Sequence, residues 1–185
     1  MAFPAIALGP KDLQTYGVAF ITPSTVTGQE EEKQAVALAF TEILAKTRPE
    51  IRCVTLPETL NAVNRAGISV DYKGMFVDYR DTGIFKRDTL QKIGTATNTR
   101  YVAQMKLANF IQGSHTRLGI FGLRILDTKY AKIRLFLQIW DTRNGAIAWE
   151  SLCEMQYAVE AFKEKAVTLH MVMEKASEDL IARLP

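Results

Sequence analysis

The segment from Ala131 to Tyr157 constrains the fold of this 185-residue chain more than any other part of it. Its first half alternates apolar side chains with mostly polar ones, which is the period of a strand with one buried face. The apolar positions are Ala131, Ile133, Leu135, Leu137 and Ile139. A second strand is predicted to line one face with Ile147, Trp149, Cys153, Met155 and Tyr157. Between them, Asn144 and Gly145 suit the positive φ angles of tight turns. The segment predicts a β-hairpin that serves as scaffold.

Length and composition are those of an ordinary soluble, globular protein. Hydrophobic residues make up 48% of the chain and charged residues 23%, which is enough for a full hydrophobic core. We expect one domain over residues 16–185. Residues 1–15 are expected to form an amino-terminal arm, from which an export signal or lipid-anchor region could have been trimmed. No apolar run is long enough to cross a bilayer.

The first part of the chain has the order strand, helix, strand. Tyr16–Ile21 and Ile51–Thr55 are short apolar runs that are typical of buried strands. A helix is predicted between them over Gln29–Lys46, opened by a capping box of Thr27 and Glu30. Such a β-α-β unit favours a right-handed crossover onto a parallel strand.

Short helices are expected next, the last ending near Gly94, and the pattern then changes to strands. Arg100–Ile111 and Leu118–Leu126 are predicted strands, separated by a turn at Gln112–Ser114. Residues 162–184 space their apolar side chains by threes and fours, which predicts an amphipathic helix that packs on the sheet. The predicted fold class is α+β, an αβ sandwich with a β-α-β start, antiparallel strands and this closing helix on a mixed sheet.

The aromatic stretch Tyr72, Phe76, Tyr79 and Phe85 is the candidate partner-binding surface. Exposed aromatic side chains are common in protein–protein interfaces. The alternative is that these side chains cover the edge of the core, because aromatic residues at helical spacing most often do. The predicted strands Arg100–Ile111 and Leu118–Leu126 offer a second means of docking, through an open sheet edge.

Catalytic and metal-binding patterns are absent from the sequence. Cys53 and Cys153 are too far apart for a metal-site spacing, and whether they pair depends on a distance that the sequence does not define. His115 and His170 have no neighbouring ligand at a metal-site spacing. No nucleophile elbow or phosphate-binding loop occurs, and Asp127 and Asp141, which lie beside turns, are expected to form Asx turns. We therefore expect no catalytic residue, no metal and no cofactor.

Two other classes of function remain open. One is a small hydrolase or transferase with its site at the ends of the first two strands, around Thr22–Thr27 and Thr55–Glu58, since ligands gather there in α/β sheets. It requires a pocket lined by Ser24, Thr25 and His115. The other is nucleic-acid binding through basic residues of the strand half, which predicts steep salt dependence. The net charge of +3 is too small to argue for it. These basic residues, Arg100 and Arg143 among them, are expected on a solvated sheet face, so no nucleic-acid partner is expected.

Three stretches of the sequence resemble a family of envelope proteins. They are Tyr16-Gly-Val-Ala-Phe-Ile21, residues 90–104 (LQKIGTATNTRYVAQ) and residues 133–150 (IRLFLQIWDTRNGAIAWE). Each resembles the domain shared by the curli-secretion lipoprotein, the penicillin-binding-protein-activator lipoproteins and the amino-terminal domain of the Tol translocation protein. The likeness extends over most of residues 16–184.

This resemblance implies a periplasmic accessory protein, tethered to the outer membrane, that binds other envelope proteins and has no active site. It would act in the assembly or regulation of an envelope or secretion machine, with homo-oligomerisation left open. The sequence departs from the family because it shows no lipidated cysteine at its amino terminus. A contact with the membrane is expected only where such a lipid anchor is present. The long hairpins of the curli-secretion channel are also not expected, which disfavours a channel.

Overall fold

The computed structural model describes residues 8–25, 33–120, 123–161 and 169–185. The helices are α1 (Asp12–Tyr16), α2 (Lys33–Thr47), α3 (Leu56–Arg65), α4 (Ser69–Thr82), α5 (Arg87–Thr97) and α6 (Leu169–Ala182). The strands are β1 (Val18–Phe20), β2 (Ser24–Thr25), β3 (Cys53–Val54), β4 (Tyr101–Ile120), β5 (Leu123–Asp141) and β6 (Ala146–Ala161).

The strands form one mixed sheet in the order β3-β1-β4-β5-β6, and β2 pairs with β4 beside β1. β1 is parallel to both β3 and β4, whereas β4, β5 and β6 are antiparallel. The predicted β-α-β start and the antiparallel second half are confirmed. The predicted capping box of Thr27 and Glu30 lies outside the described residues.

Helices cover both faces of the sheet and create two hydrophobic cores. α2 and α6 lie on one face, where Phe40 and Leu180 pack against Leu135 and its neighbours. α3, α4 and α5 lie on the other face, over Val102 and Trp140. The alternating apolar residues of β5, from Ala131 to Ile139, are at most 3% exposed. The α+β class with helices packed on a mixed sheet is confirmed.

The amino-terminal residues that the structure describes are packed against the sheet. Leu8 and Leu13 are buried in the core that α2 and α6 cover. The Leu8 N–H donates to the Ala148 carbonyl at 3.1 Å, which ties the chain to β6. The packed unit therefore begins at least as early as Leu8, within residues 1–15, which were expected to precede the domain.

The predicted turn at Gln112–Ser114 is wrong, because β4 continues through it. Gly113 pairs with Tyr130 on β5, and a Cβ at Gly113 would lie 2.5 Å from the Tyr130 ring. This glycine thus leaves room for a cross-strand aromatic ring and does not mark a turn. The prediction of one strand over Leu118–Leu126 is also wrong, since this segment spans the end of β4 and the start of β5. A register shift at Gly119 confirms the expected irregularity there.

β4 and β5 consequently form a long hairpin that extends past the part of the sheet that contains β1 and β2. β4 pairs with β1 and β2 only as far as Leu107, yet it runs on to Ile120. The remaining residues of β4, with the paired parts of β5 and β6, are called the arm below. At about 3.3 Å per residue, the arm adds roughly 40 Å. A hairpin of this length was not predicted from the sequence.

The β5–β6 hairpin is confirmed, with a turn that differs in detail. Asp141 pairs with Ala146, and among the turn residues only Gly145 has a positive φ, of 74°. Asn144 does not adopt the expected positive φ, and its side chain stabilises the turn instead. Its Oδ1 accepts a hydrogen bond from the Ala146 N–H at 2.9 Å. A register shift at Ile139/Trp140 leaves Ile147 41% exposed, so its predicted burial is wrong.

α5 extends one turn beyond its predicted end because Gly94 lies inside the helix. A Cβ at Gly94 would meet the Thr142 Oγ1 at 2.7 Å and the Thr99 carbonyl oxygen at 2.8 Å. The glycine is therefore required where α5 approaches the β5–β6 turn. The helix ends at Asn98, whose left-handed backbone conformation (φ 53°) serves as its cap.

Candidate functional site

The four predicted partner-binding residues lie together, but only two of them reach the surface. Phe85 is 1% exposed and Tyr72 is 8% exposed, and both belong to the core beneath α4. Phe76 and Tyr79 are half-buried. The prediction that this segment binds a partner stays a prediction, and the structure restricts its accessible part to Phe76 and Tyr79.

The rings form a continuous aromatic cluster. Phe85 stacks on Tyr79 with ring centroids 4.3 Å apart, and it meets the edges of Trp140 at 5.2 Å and Phe76 at 5.9 Å. Tyr72 meets Phe76 at 5.1 Å. Edge-to-face and stacked pairs of this kind hold their members in fixed orientations. The two exposed rings therefore stand on a rigid base.

The tyrosine hydroxyls are engaged with the sheet. The Tyr72 hydroxyl accepts a hydrogen bond from the Thr22 N–H at 2.9 Å. The Tyr79 hydroxyl donates to Gln138 Oε1 at 2.9 Å, and Gln138 Nε2 donates to Glu150 Oε2 at 3.2 Å. Burial raises the pKa of both tyrosines, and the nearby Glu150 carboxylate raises the pKa of Tyr79 further. Both hydroxyls stay neutral and serve to orient the rings.

A cleft of about 600 Å³ lies between α4 and the segment that leads from the carboxyl end of β1 into β2; we call it the aromatic cleft. It is lined by Thr22, Pro23, Ser24, Lys73, Phe76, Tyr79, Arg80, Gly83 and Lys106. It joins the aromatic segment to the end of the first strand, which the sequence treated as two separate candidate sites. Only the packing of α4 over the sheet brings them together, because some 50 residues separate them along the chain.

The structure does not assemble the pocket that a hydrolase or transferase would need. Ser24 lines the aromatic cleft, and its Oγ accepts a hydrogen bond from Gln104 Nε2 at 3.2 Å. Ser24 pairs with Lys106, whereas His115 lies nine residues further along β4, about 30 Å away at 3.3 Å per residue. The Thr25 side chain lies outside the described part of the structure. The arrangement of Ser24, Thr25 and His115 as one site is therefore wrong.

The second segment of that alternative, Thr55–Glu58, has a structural role. The Thr55 N–H donates to Glu58 Oε2 at 2.8 Å, and the Thr55 hydroxyl donates to the same oxygen at 2.8 Å. The pair forms a capping box at the start of α3, with Pro57 in the first turn. A threonine followed three residues later by a glutamate is the sequence pattern from which this cap could have been predicted.

A second cleft, of about 820 Å³, lies at the opposite end of β1, and its guanidinium groups are already engaged. Arg100 and Arg143 both contact Asp141 Oδ2, at 2.8 and 3.1 Å, and Asp141 is 1% exposed. Arg100 also lies 4.9 Å from the ring centroids of Tyr16 and Tyr101. Arg52 donates to the Asn98 carbonyl. These contacts connect the segments that meet at the amino-terminal end of β1.

Asp141 combines a role that the sequence predicted with one that it did not. Its Oδ1 accepts from the Arg143 N–H at 3.0 Å, which confirms the predicted Asx turn. Burial by itself would raise the pKa of Asp141, but the hydrogen bonds from Arg100 and Arg143 outweigh it and lower the pKa. Arg100 and Arg143 were expected on a solvated basic face, and the pairing with Asp141 is the part that sequence reasoning missed.

The two cysteines are free thiols on distant strands. Cys53 lies on β3 and Cys153 on β6, four strand spacings apart, which is roughly 19 Å or more. A disulfide needs Cα atoms within about 7 Å, so the two do not pair within one chain. Burial raises the pKa of Cys53 to about 12 and that of Cys153 to about 11. Both thiols are therefore protonated and unreactive at neutral pH.

The residues that the structure describes contain no group of three or more histidine, cysteine, aspartate or glutamate side chains that could hold a metal ion. Of the described helices, none combines the length and the apolar character needed to span a membrane.

Comparison with known proteins gives structural neighbours only. No protein-family model and no curated protein matches the chain. A PelC variant from Paraburkholderia phytofirmans, a dodecamer, matches with a TM-score of 0.52 at 12% identity, over 96% of this chain and 92% of that chain. Lipoprotein GNA1162 from Neisseria meningitidis gives 0.47 at 11% identity, over 89% and 96%. The LpoB C-terminal domain from Escherichia coli gives 0.40 at 14% identity, over 77% and 81%.

The likeness to PelC shows a shared fold. At 12% identity it carries no residue-by-residue correspondence and no role. The class of protein that the structure defines is thus a PelC-like α+β domain, with helices on both faces of a mixed sheet and a long arm.

Proposed function

We propose that this chain is a non-enzymatic interaction domain of the bacterial cell envelope. It assembles with further copies of itself and binds other envelope proteins during the assembly or regulation of a larger machine. The resemblance of three sequence stretches to envelope lipoproteins supports the compartment. The fold shared with PelC, a dodecamer, supports self-assembly.

The observation that carries this proposal is the pair of open strand edges on the arm. Within the described ranges, β6 pairs with no strand but β5, and its outer edge is open from Glu154 to Ala161, beyond the contacts of Leu8 with Ala148 and of Arg183 with Leu152. On the other side of the arm, β4 has no partner strand among the described residues from Ile111 to Ile120. Long open edges readily pair with another strand. Pairing of β6 with β4 of a second copy is head-to-tail and produces a ring if the rotation closes.

The side chain of Arg183 covers the middle of the β6 edge. Its Nη1 donates to the Leu152 carbonyl at 3.0 Å and to Ser151 Oγ at 3.3 Å. The Leu152 carbonyl therefore points away from β5. Because alternate residues of an antiparallel strand point their main-chain groups to the same side, those of Gln156 also point outward, beyond the reach of Arg183.

Replacing Gln156 with proline is expected to abolish assembly while leaving the monomer folded. Proline removes an N–H that the β5–β6 ladder does not use but that a second copy would need. Sedimentation velocity is expected to show species larger than a monomer for the natural chain and a monomer for Gln156→Pro. The control Gln156→Ala keeps the N–H and is expected to assemble normally. A natural chain that stays monomeric at all concentrations, or an unchanged Gln156→Pro assembly, would contradict the role of this edge.

The cellular compartment is tested separately. The protein produced from its own gene is expected in the periplasmic or outer-membrane fraction of the cell, and a lipid anchor would place it with the membranes. Immunodetection after fractionation checks this, with a cytoplasmic enzyme as the marker. Recovery of the protein with that marker alone would exclude the envelope assignment.

A further inference from the structure

We propose that the aromatic cleft binds an acidic segment of a partner protein that carries an apolar side chain. This inference rests on the proposed partner-binding role and names the chemistry of the partner. The cleft presents an aromatic wall of Phe76 and Tyr79 beside three cations, Lys73, Arg80 and Lys106. A segment with one apolar side chain between carboxylates would match both features.

The charge of the cleft is the first support. Three cationic side chains line it, and among the residues that the structure describes no acidic side chain does. In the part of the chain that the structure describes, Lys73 and Lys106 have no ion-pair partner, whereas Arg80 contacts Asp81 at 3.0 Å. The Glu150 carboxylate accepts a hydrogen bond from Gln138 Nε2 on the sheet and is not among the residues that line the cleft. The two lysines thus leave positive charge that a carboxylate ligand would complement.

The hydroxyl of Ser24 also favours a ligand that accepts hydrogen bonds. Its oxygen accepts from Gln104 Nε2 at 3.2 Å, and Gln104 is 1% exposed. This bond leaves the Ser24 proton available to donate into the cleft. A carboxylate, which accepts and does not donate, is suited to both this hydroxyl and the lysine ammonium groups.

The apolar wall is held in place before any ligand arrives. The ring of Tyr79 stacks on Phe85 at 4.3 Å, and its hydroxyl is bonded to Gln138. Pro23 on the facing segment is buried. A preformed aromatic surface loses little conformational entropy on binding, so an apolar side chain placed against it contributes most of its burial to affinity. The volume of about 600 Å³ is within the usual range for a bound side chain or small ligand.

The test uses a fluorescein-labelled peptide, Gly-Asp-Glu-Phe-Glu-Asp-Gly, and fluorescence anisotropy with the full chain. Lys73→Glu combined with Lys106→Glu is expected to weaken binding about tenfold or more, since two attractive contacts become repulsive. Replacing the peptide's phenylalanine with serine is expected to weaken it similarly. The control Lys46→Glu makes a charge reversal on α2, on the opposite face of the sheet, and is expected to leave affinity within about twofold.

Several results would overturn the inference. These are no saturable binding of the peptide, an equal loss for Lys46→Glu and for the Lys73→Glu/Lys106→Glu double variant, or no effect of removing the phenylalanine. Phosphatidylglycerol vesicles form a second arm: vesicle binding that depends on Lys73 and Lys106, without peptide binding, would assign the cleft to lipid. Circular dichroism confirms that each variant is folded. If the natural chain assembles through β6 while the peptide fails to bind, this inference falls and the proposed function stands.

Discussion

Replacing Phe85 with alanine is expected to lower the free energy of unfolding by about 3–5 kcal/mol. Phe85 is 1% exposed and lies at the centre of the aromatic cluster, in contact with Tyr79, Phe76 and Trp140. The substitution removes the ring and leaves a cavity that the neighbouring rings can fill only in part. Hydrogen bonds hold two rings of the cluster in place, Tyr72 through Thr22 and Tyr79 through Gln138. Equilibrium urea unfolding followed by circular dichroism measures the loss.

Two controls separate core packing from general sensitivity of this region. Val70→Ala, on the same helix that supplies Tyr79, changes a side chain that is 83% exposed and is expected to alter stability by less than about 0.5 kcal/mol. Phe76→Ala removes a half-buried ring and is expected to cost less than Phe85→Ala. A loss below about 1 kcal/mol for Phe85→Ala would contradict a central role for this ring in the core.

Replacing Asp141 with alanine is the second change with a large expected effect, about 3 kcal/mol. The carboxylate is 1% exposed and accepts hydrogen bonds from Arg100 and Arg143. Its removal leaves the Arg100 guanidinium largely buried without its anion. The contacts of this group with the rings of Tyr16 and Tyr101 remain. Arg143 is exposed and can return to water, so its lost contact costs little. Thermal and urea unfolding at neutral pH measure the change.

The same carboxylate gives stability a predictable dependence on pH. The pKa of Asp141 is lower in the folded chain than in the unfolded chain, where it is about 3.9. Its contribution is therefore complete above the unfolded value and is lost as the pH falls through the lower, folded value. The stability difference between the natural chain and Asp141→Asn is expected to shrink over that acidic range. A difference that stays constant down to the acid transition would contradict the assignment of the shift to this pair.

Local patterns predicted the elements whose signals lie within a few residues. The alternation along β5 predicted one buried face, and the residues Asn144 and Gly145 predicted the turn of the β5–β6 hairpin. Gly113 was misread because a glycine carries no local sign of what approaches it. It faces the Tyr130 ring across a strand pair, and its own segment resembles a turn. A long hairpin was accordingly divided into two shorter strands.

The candidate site shows the same division at larger scale. The aromatic spacing on α4 predicted a cluster, but it did not distinguish the buried Phe85 from the half-exposed Tyr79. Lys106 and Ser24 were not predicted as neighbours of Tyr79, since strand pairing brings the first two together and helix packing adds the third. The pairing of Arg100 with Asp141 likewise depends on the register of β4 against β5.

The amino-acid sequence by itself determined the fold class, the β5–β6 hairpin and the lack of a recognisable catalytic motif, because periodicity, turn residues and capping pairs act between near neighbours. Only the tertiary structure decided the length of the arm, the open edges of β4 and β6, and the joining of lysines, serine and aromatic rings in one cleft. Those features depend on which strands pair and which helix face lies on the sheet, and such contacts connect residues that are distant along the chain.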